Sequence, residues 1–311
     1  LIMQARELNK LRGTFLHGLL KHNKEGRIHA HINQIRSDSG GTVTGRFSYN
    51  HPNLQQIPSR GQFAKDIRKI FIPEVGEYWL KADYSQQEPR LLTHFARLVD
   101  QPGSGEVQKA YLEKDLDFHQ QTADMAGVQR SLAKTIGLGV MYGMGYHKLA
   151  RELDMEPQEA KTMLQDFHSK VPFMKGMLEA VMNRANSKGV IRTLLGRKCR
   201  FDLWEPTQWG VHKALPLNQA QTEYGMAIKR AYTYKALNRL IQGSAADQTK
   251  KAMVDVYEEM GIIPLIQVHD ELDCSIKNEK EGKQIKEIME NCIKLEVPSK
   301  VDTEMNESWG G

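Results

Sequence analysis

The chain has 311 residues, a formal net charge of +5 and three cysteines, and 40% of its residues are hydrophobic. This length allows one large domain or two of ordinary size with a substantial core. No run of about eighteen apolar residues is present, which argues against a membrane span, and the few, widely spaced cysteines argue against a disulfide framework or a zinc site. The positive charge suits a polyanionic partner, although many proteins without one are equally basic.

The first quarter of the chain predicts a helix, an irregular segment and a strand. Apolar residues at three-to-four spacing predict an amphipathic helix over residues 1–22. Residues 26–62 are rich in Gly, Ser, Asn, Pro and Gln, which predicts short strands and ordered loops. Residues 68–84 predict strand structure that ends at an acid, Asp83. Because the chain opens on a helical pattern and not on Met, we expect it to be a piece of a longer protein or an incomplete reading frame.

The middle of the chain predicts mainly helices. A proline fits the first turn of a helix over residues 89–98, and residues 105–185 show helical spacing of their apolar positions. A basic loop is predicted over residues 188–200. Further helices are predicted over residues 217–236 and 242–260.

The last part of the chain predicts an antiparallel hairpin with acids at its turn. A strand is predicted over residues 262–268, a turn over 269–271 and a returning strand over 272–276, before a charged helix over 279–294. The order of strands and helices lacks a βαβ rhythm, so the fold class is predicted to be α+β.

Three acids lie where predicted strands end, namely Asp83, Asp270 and Glu271. Two aspartates from adjacent strands would offer the hard oxygen ligands that Mg²⁺ prefers. Two such ions stabilise both the attacking and the leaving oxygen in phosphoryl transfer. The alternative is that these acids are solvated turn residues, which are common because of local hydrogen bonding.

One helix face in the segment 130–143 combines cations with apolar and aromatic residues. Arg130, Lys134, Leu138 and Tyr142 recur at every fourth position and so lie along one face. Such a surface could hold phosphates at one end, a sugar in the middle and a base at the other. The alternative is a solvated basic edge beside an apolar core stripe.

Together these segments resemble DNA polymerase family A, the DNA polymerase I group. The resemblance is carried, in the family's order, by residues 44–48 with 52–58, 82–90, 130–143, 238–247 and 267–271. The segment Gln-Gln-Glu-Pro-Arg within 82–90 is more phage-like than bacterial. The resemblance implies an α+β right hand, with an antiparallel palm sheet and a helical fingers subdomain.

The resemblance implies a catalytic metal site in the palm. Asp83 and Asp270 would ligate two Mg²⁺ ions with help from the backbone carbonyl of Tyr84, and Mn²⁺ would be able to substitute. Glu271 would lie just outside the metal's ligand shell. Lys134 would complete the catalytic set by giving a proton to the leaving pyrophosphate.

The resemblance also implies a site for the incoming nucleotide. Its members would be Tyr84, Gln86, Glu88, His119, Arg130, Lys134, Leu138 and Tyr142. Glu88 would close the space around the sugar 2′ position and hydrogen-bond Tyr142, which would act as a filter for deoxyribose. Taken without the family, Glu88 is more commonly a helix N-terminal charge and His119 an ordinary helix-start residue.

Contacts to primer–template DNA are implied for a third set, Arg46, Gly143, Tyr234, Asn238, Gln242 and His269. Arg46 and Gln242 would probe the minor groove, where every correct pair offers acceptors at similar places. For Asn238 and Gln242 the alternative is helix capping or an internal amide network. The basic segment 188–200 would be a template-side backbone contact or, alternatively, a solvated run of charge.

Some residues depart from the family pattern. Leu138 stands where the family commonly has an aromatic residue against the incoming sugar, which puts discrimination against dideoxynucleotides in question. Tyr234 replaces an arginine that contacts DNA in bacterial members, so Lys235 could take that contact. Gln87 and Pro89 replace apolar residues, which affects packing more than chemistry.

We therefore expect a palm formed by residues 1–90 and 226–311 and fingers formed by residues 91–225. Residues 1–22 would lead from a thumb, most of which would precede the chain together with any exonuclease domain. The expected function is template-directed transfer of nucleotides from dNTPs to a primer 3′-hydroxyl. The alternatives are a single-subunit RNA polymerase, which Glu88 disfavours, or a DNA-binding fragment with little turnover. The expected partners are DNA, dNTPs and possible processivity or replisome proteins, with no membrane, in the cytoplasm or nucleoid of a bacterial or phage-infected cell.

Overall fold

The computed structural model describes residues 5–311 except residues 7, 10, 38, 39, 115, 209 and 211. The chain forms two compact units. The first comprises residues 1–85, 248–293 and 299–311, and the second comprises residues 86–247 and 294–298. The division into a palm over residues 1–90 and 226–311 and fingers over residues 91–225 stays a prediction.

A four-stranded antiparallel sheet organises the first unit. Its central strand, Tyr78–Tyr84, pairs on one side with Glu271–Ile276 and on the other with Val301–Asn306. Ile266–Val268 pairs with the far side of Glu271–Ile276 and forms one edge of the sheet. This is the predicted α+β arrangement, in which the acidic hairpin is joined to the strand that carries Asp83.

Alternation along these strands gives the sheet two different faces. Leu80, Ala82, Leu272 and Cys274 are buried on one face, where the helices Ala236–Met260 and Glu279–Asn291 cover them. Fully burying an aliphatic side chain in this way stabilises the fold by about 1.5–3 kcal/mol. The opposite face carries acidic side chains, so the apolar face fixes the register that brings these acids together.

Smaller elements complete the first unit and surround a second core built on Trp79 and Trp309. They are Leu11–His17, which is a π-helix, Gly18–Leu20, the strands Asn23–Lys24, Arg27–Ile28, His31–Asn33 and Ser48–Asn50, the 3₁₀ turn Leu54–Gln56 and the helix Ala64–Arg68.

The second unit is mainly helical. Its helices are Gln87–Leu98, Ser104–Glu113, Phe118–Ala126, Arg130–Met141, Tyr146–Leu153, Pro157–Lys170, Pro172–Lys188, Leu217–Tyr224 and the first part of Ala236–Met260. The short strands Val190–Arg192 and Lys198–Arg200 form one hairpin, and Leu203–Pro206 lies between Leu215–Pro216 and Ile228–Arg230 in a small sheet. None of the described helices combines the length and apolar character needed to cross a membrane.

One prediction in the first unit was wrong, and one strand was not predicted. Residues 70–72 form no strand, because no neighbouring strand pairs with them and only Phe71 turns inward, edge-on to Trp309 at 5.5 Å. The strand Val301–Asn306 was not predicted, because it lies at the sheet edge and exposes most of its side chains. The predicted helix 1–22 falls partly on residues outside the described set, and its later part is the π-helix Leu11–His17.

Two predictions in the second unit were also wrong. The segment 188–200 contains a hairpin in which Arg192 pairs with Lys198, rather than a loop. The helix predicted over 217–236 ends at Tyr224, because Gly225 has a φ of 74° and the next residues enter the strand Ile228–Arg230.

Other boundaries shifted without changing the type of element. The helix predicted over 242–260 begins at Ala236, and the first hairpin strand spans only Ile266–Val268. The last helix ends at Asn291.

Candidate active site

A row of carboxylates crosses the exposed face of the sheet in the first unit. Asp83 pairs in register with Glu271 on one side and with Asp302 on the other. Side chains at directly paired positions of an antiparallel sheet lie on the same face, about 4.5–5.5 Å apart at Cβ. Asp83 and Asp302 are exposed and Glu271 is half-buried, so this edge of the face is open to solvent.

Asp270 joins this row through the turn that precedes its strand. The backbone N–H of Tyr84 donates to the carbonyl oxygen of Asp270 at 3.3 Å. His269, just before it, has a φ of 58°, which turns the chain sharply into the returning strand. The backbone of Asp270 is thereby fixed beside the strand end that carries Asp83, although the two residues are far apart in the sequence.

The electrostatics of the row show that its negative charges are close together. Burial among protein atoms, followed by repulsion from Asp270, Glu271, Asp302 and Glu304, raises the pKa of Asp83 from 3.8 to about 7. Asp83 is nevertheless exposed, so water screens part of this repulsion. Lys81 pairs with Glu304 at 3.3 Å and Lys300 lies 4.0 Å from Asp302, yet the net effect on Asp83 is repulsive. A divalent cation would relieve this repulsion.

The donor set fits magnesium better than a softer metal. Among the described residues, no three His, Cys, Asp or Glu side chains form a ready-made metal cage. Mg²⁺ does not need such a cage, because it commonly uses one or two carboxylates and completes its shell with water and substrate phosphates. Asp83 and Asp270 supply hard oxygen ligands of this type.

Tyr84 has its side chain on the opposite, buried face of the sheet. Its hydroxyl donates to the carbonyl oxygen of Met289 at 2.7 Å and lies 3.4 Å from the sulfur of Cys292. The side chain therefore anchors the strand to the helix Glu279–Asn291, which leaves only the backbone of Tyr84 on the side of the carboxylates.

In the second unit, the predicted basic helix face is present on Arg130–Met141. Arg130 donates from Nε to Oδ2 of Asp117 at 2.7 Å. Asp117 also caps the helix Phe118–Ala126, because its Oδ1 accepts from the backbone N–H groups of His119 and Gln120 at 3.0 and 3.1 Å. Burial alone would raise the pKa of Asp117, but the hydrogen bonds from Arg130 and these N–H groups outweigh it and lower the pKa.

His119 lies beside this cation pair and is half-buried. Burial, reinforced by the charge of Lys134, lowers the pKa of His119 below its ordinary value, although Asp117 acts in the opposite direction. Its Nδ1 has no hydrogen-bonding partner among the described residues. His119, Arg130 and Lys134 therefore form one basic group on two neighbouring helices.

The hydrogen bond predicted between Glu88 and Tyr142 is present. The Tyr142 hydroxyl donates to Oε2 of Glu88 at 3.0 Å, which ties the first turn of Gln87–Leu98 to the C-terminal end of Arg130–Met141. Tyr142 remains 41% exposed, so its ring is still available for contact with a ligand. Leu138, one turn earlier, is half-buried against the core of the unit.

Gln86 connects the start of this region to the loop before His119. It has a left-handed backbone with a φ of 54°, and its side-chain amide donates to the carbonyl of Leu116 at 2.8 Å and accepts from the N–H of Phe118 at 2.9 Å. Its side chain is thus used to position the helix that carries His119.

The predicted DNA-contacting residues divide between the two units. Asn238 and Gln242 are one turn apart and half-buried on Ala236–Met260, in the part of that helix within the second unit. Arg46 is half-buried and His269 is exposed in the first unit. Among the members of the second unit, the structure brings Gly143 and Tyr234 together.

The backbone conformation and close surroundings of Gly143 favour glycine at this position. Its φ is 71°, and a Cβ at this position would lie 2.5 Å from the carbonyl oxygen of Tyr234. Tyr234 itself is 46% exposed, and the Lys235 ammonium lies 5.4 Å from the centre of its ring. Gly143 therefore allows the backbone that presents an exposed tyrosine and lysine to approach closely.

Sequence reasoning missed three acids, two on the sheet of the first unit and one beside the basic helix of the second unit. Asp302 joins the carboxylate row, Asp117 orients Arg130, and Asp273 is completely buried behind Glu271. The alternation of acids in Val-Asp-Thr-Glu-Met-Asn was an available signal for an edge strand carrying Asp302. The other two depend on tertiary contacts that no local pattern reveals.

Acids on a sheet and a basic helix are the features expected of a nucleotide-transferring enzyme. Comparison of the sequence with known protein families tests this expectation. The sequence model of DNA polymerase family A matches residues 1–311, and the chain therefore belongs to this family. Members of the family generally use divalent metal ions.

Individual relatives include phage and bacterial polymerases. The chain is 38% identical to the "DNA-directed DNA polymerase" of Pseudomonas phage M6 over 359 aligned positions, which cover 100% of the chain and 51% of the relative. It is 34% identical to the thermostable DNA polymerase I of Thermus aquaticus, covering 99% of the chain and 36% of that protein. The chain thus spans about half, or less, of the length of these relatives.

A solved structure gives the same result for the fold. The POL domain of Pol1 from M. smegmatis, in complex with DNA primer-template and dNTP, matches with a TM-score of 0.78 at 30% sequence identity. The match covers 98% of the chain and 52% of that structure's chain.

Proposed function

We propose that this chain is the palm-and-fingers portion of a template-directed DNA polymerase, which joins the α-phosphate of a dNTP to a primer 3′-hydroxyl and releases pyrophosphate. The observation that carries this proposal is the in-register placement of Asp83 beside Glu271, with Asp270 fixed to the same strand end. The family membership supports the same reaction.

In this proposal Asp83, Asp270 and the carbonyl of Tyr84 hold two Mg²⁺ ions, and Mn²⁺ can replace them. The bound ions supply charge stabilisation for the attacking and leaving oxygens. Glu271 supports this site from outside the ligand shell. The first unit corresponds to the palm and the second to the fingers.

The basic group of the second unit would bind the triphosphate. Arg130 offers a bidentate fork and Lys134 a point charge, and the lowered pKa of His119 leaves it neutral at physiological pH and able to donate a hydrogen bond. Lys134 would return a proton to the pyrophosphate. Tyr142, Leu138 and Gln86 would contact the base and sugar. Tyr84 is proposed to contact the nucleotide from the first unit.

Primer–template DNA is the proposed macromolecular partner. Arg46, Asn238, Gln242 and His269 would contact it near the growing end. Tyr234 and Gly143 would contribute with Lys235, whose ammonium lies over two exposed tyrosine rings. Processivity or replisome proteins and a cytoplasmic or nucleoid location belong to the same proposal.

Two other readings make different predictions. A single-subunit RNA polymerase would accept a 2′-hydroxyl, whereas the Glu88–Tyr142 hydrogen bond supports a closed space at that position. A DNA-binding fragment would shift primer–template in a gel without extending it. Primer extension with dNTPs and with rNTPs in parallel, together with a gel shift on the same DNA, distinguishes a DNA polymerase, an RNA polymerase and a DNA-binding fragment.

Primer extension with Mg²⁺ tests the metal assignment. Asp83→Ala is expected to lower the extension rate at least about a thousandfold, which corresponds to the loss of about 4 kcal/mol of transition-state stabilisation. Asp124→Ala, an exposed acid on Phe118–Ala126, is the control and should extend like the parent. Extension by the Asp83→Ala variant at the parental rate would refute the assignment.

A further inference from the structure

Asp273 is a buried carboxyl group on the returning strand of the proposed catalytic hairpin. It lies two residues after Glu271 on the same strand and therefore on the same face of the sheet. Its residue has 0% relative exposure. An isolated carboxylate in such a place would be costly, so its protonation and its partners decide how it is tolerated.

The two oxygens of Asp273 have different surroundings. Oδ1 accepts a hydrogen bond from Nε1 of Trp79 at 2.7 Å. Oδ2 is buried and receives no hydrogen bond from any donor of the described residues. The Glu271 carboxyl group lies within hydrogen-bonding reach of Asp273. Two carboxyl groups can share a hydrogen bond only when one of them carries a proton.

The charges around Asp273 favour placing that proton on Asp273. Burial, repulsion from Glu271 and the hydrogen bond with Glu271 raise the pKa of Asp273 well above its ordinary value. Trp79 and Lys81 act in the opposite direction, but Lys81 also pairs with Glu304 at 3.3 Å. The charge of Asp273 also acts on the buried Tyr49 and Cys274, whose pKa values are raised chiefly by burial.

Two stacked tryptophans each donate a hydrogen bond to one of the two acids, Asp273 and Glu271. Trp309 donates from Nε1 to Oε1 of Glu271 at 3.4 Å, while Trp79 donates to Asp273. The two indole rings stack with their centroids 6.0 Å apart and an interplanar angle of 23°. Arg68 covers the other side of the arrangement, 4.2 Å from the centroid of Trp309.

We propose that Asp273 is a positioning residue for Glu271: its Oδ2 carries a proton and donates a hydrogen bond to the Glu271 carboxylate, which holds that side chain and the 269–271 turn in place. The proton stays on Asp273 and takes no part in the chemistry. The effect on catalysis rests on the proposed polymerase function, whereas the hydrogen bond itself does not.

Infrared spectroscopy of the metal-free chain tests the protonation independently of activity. All spectra are taken near pH 7 in an Asp83→Asn background, which serves as the parent here and removes the acid with a pKa of about 7, so a carboxylic-acid C=O band would belong to Asp273. We expect this band in the parent and in the control Asp255→Asn, and its absence in Asp273→Asn. A parent spectrum without the band would overturn the proposal whether or not the chain polymerises.

Steady-state primer extension tests the positioning role. Asp273→Leu keeps the approximate shape without a donor and is expected to lower kcat about tenfold with little change in KM for dNTP. Asp273→Asn keeps an N–H that can donate to Glu271 and is expected to restore most of the rate. The matched control is Cys274→Ala, equally buried on the opposite face of the same strand, which should lower the Tm without lowering kcat.

A double-variant cycle separates positioning from simple loss of stability. In a Glu271→Gln background, replacing Asp273 by Leu should no longer lower kcat, because the residue through which it acts has already changed. An undiminished loss in that background, or equal kcat values for Asp273→Leu and the parent, would overturn the positioning role. If the parent itself does not extend a primer, the proposed function fails, and the infrared band still decides the hydrogen bond.

Discussion

Asp117 holds Arg130 through a 2.7 Å ion pair and, with its other oxygen, caps the helix that carries His119. One carboxylate therefore sets the position of two residues proposed to bind the triphosphate. A guanidinium group that binds phosphate must be held in the correct orientation, because the orientation of reacting groups accounts for much of the rate acceleration by an enzyme.

The two functions of Asp117 are expected to separate on substitution. Asp117→Ala removes the cap and should lower the free energy of unfolding by about 1 kcal/mol, whereas Asp117→Asn retains a capping oxygen and most of the stability. Both variants lose the ion pair with Arg130 and should raise KM for dNTP severalfold. Thermal unfolding and steady-state extension measure the two effects, with Asp124→Ala as control. An unchanged KM in Asp117→Asn would show that the ion pair does not orient Arg130.

The Glu88–Tyr142 hydrogen bond predicts how the site distinguishes sugars. Glu88→Ala opens the space at the proposed 2′ position, and Tyr142→Phe removes the hydroxyl that holds Glu88. Each change should reduce the preference for dNTP over rNTP by about tenfold or more, the scale expected when a shaped polar pocket is enlarged. The two effects should not add, because they break the same contact. Competition between a dNTP and its rNTP on one template measures this, and additive losses would contradict the shared role.

The raised pKa of Asp83 predicts a pH-dependent stability in the absence of metal. Between about pH 4 and pH 7 the folded state binds more protons at Asp83 than the unfolded state does, so the free energy of unfolding falls as pH rises. Asp83→Asn removes this fall. Its Tm should therefore exceed that of the parent above about pH 8, and the difference should shrink towards pH 4. Solvent screening at this exposed residue makes the difference smaller than the pKa alone implies.

The control for that measurement compares the melting temperatures of the parent and Asp83→Asn with a chelator present and with Mg²⁺ added. Adding Mg²⁺ above pH 8 should narrow the gap between the two melting temperatures, because only the parent has the full carboxylate set. Equal melting temperatures at all pH values without metal would show that the row around Asp83 is not electrostatically strained.

Gly143 predicts a position-specific cost for a single methyl group. Gly143→Ala places a Cβ 2.5 Å from the Tyr234 carbonyl at a φ of 71° and should cost about 1–3 kcal/mol of stability. Gly145→Ala is the matched control, because a Cβ there meets nothing within 4 Å and the φ is −89°. Chemical denaturation of the two variants gives the comparison. Similar losses for both would mean that the close approach to Tyr234 is relieved by a small backbone shift.

The hairpin Val190–Arg192 with Lys198–Arg200 predicts a measurable salt dependence. Arg192, Lys198 and Arg200 are exposed on one face of this hairpin, while Ile191 and Cys199 are buried on the other. If the exposed face contacts DNA phosphates, Lys198→Ala and Arg200→Ala should each lower the slope of log affinity against log salt by about 0.7–0.9. Lys175→Ala, which removes a cation paired with Glu179 at 3.7 Å, should leave the slope unchanged. Unaltered slopes in the hairpin variants would favour a solvated charge run.

The sequence predicted the strands and helices that carry strong local signals. Asp83 was placed at the end of a strand and Asp270 at the turn of a hairpin, and the structure joins the strands beside them in one sheet. The Glu88–Tyr142 bond was predicted only through the family resemblance, because nothing in the local pattern brings two helices together. The functional roles of these residues remain predictions.

The missed elements share a physical cause. In the hairpin around Arg192 and Lys198, charged side chains occupy the exposed positions, so the period-two signal depended on the few buried residues between them. At the edge strand Val301–Asn306 most side chains are exposed, so the alternation of its acids was a weak signal without an apolar run to mark a buried face. The burial of Asp273 could not be predicted for a different reason. An acid inside a strand can be buried only when particular tertiary partners are present, and the local sequence does not show them.

The alignment of Asp302, Asp83 and Glu271 across three strands has a consequence for handling the protein. Like charges placed directly opposite each other weaken a sheet, and any cation that binds the folded chain more tightly than the unfolded chain stabilises it by mass action. Resistance to heat should therefore track the free concentration of magnesium or manganese, so a melting curve can serve as a titration of occupancy without any nucleotide or DNA in the cuvette.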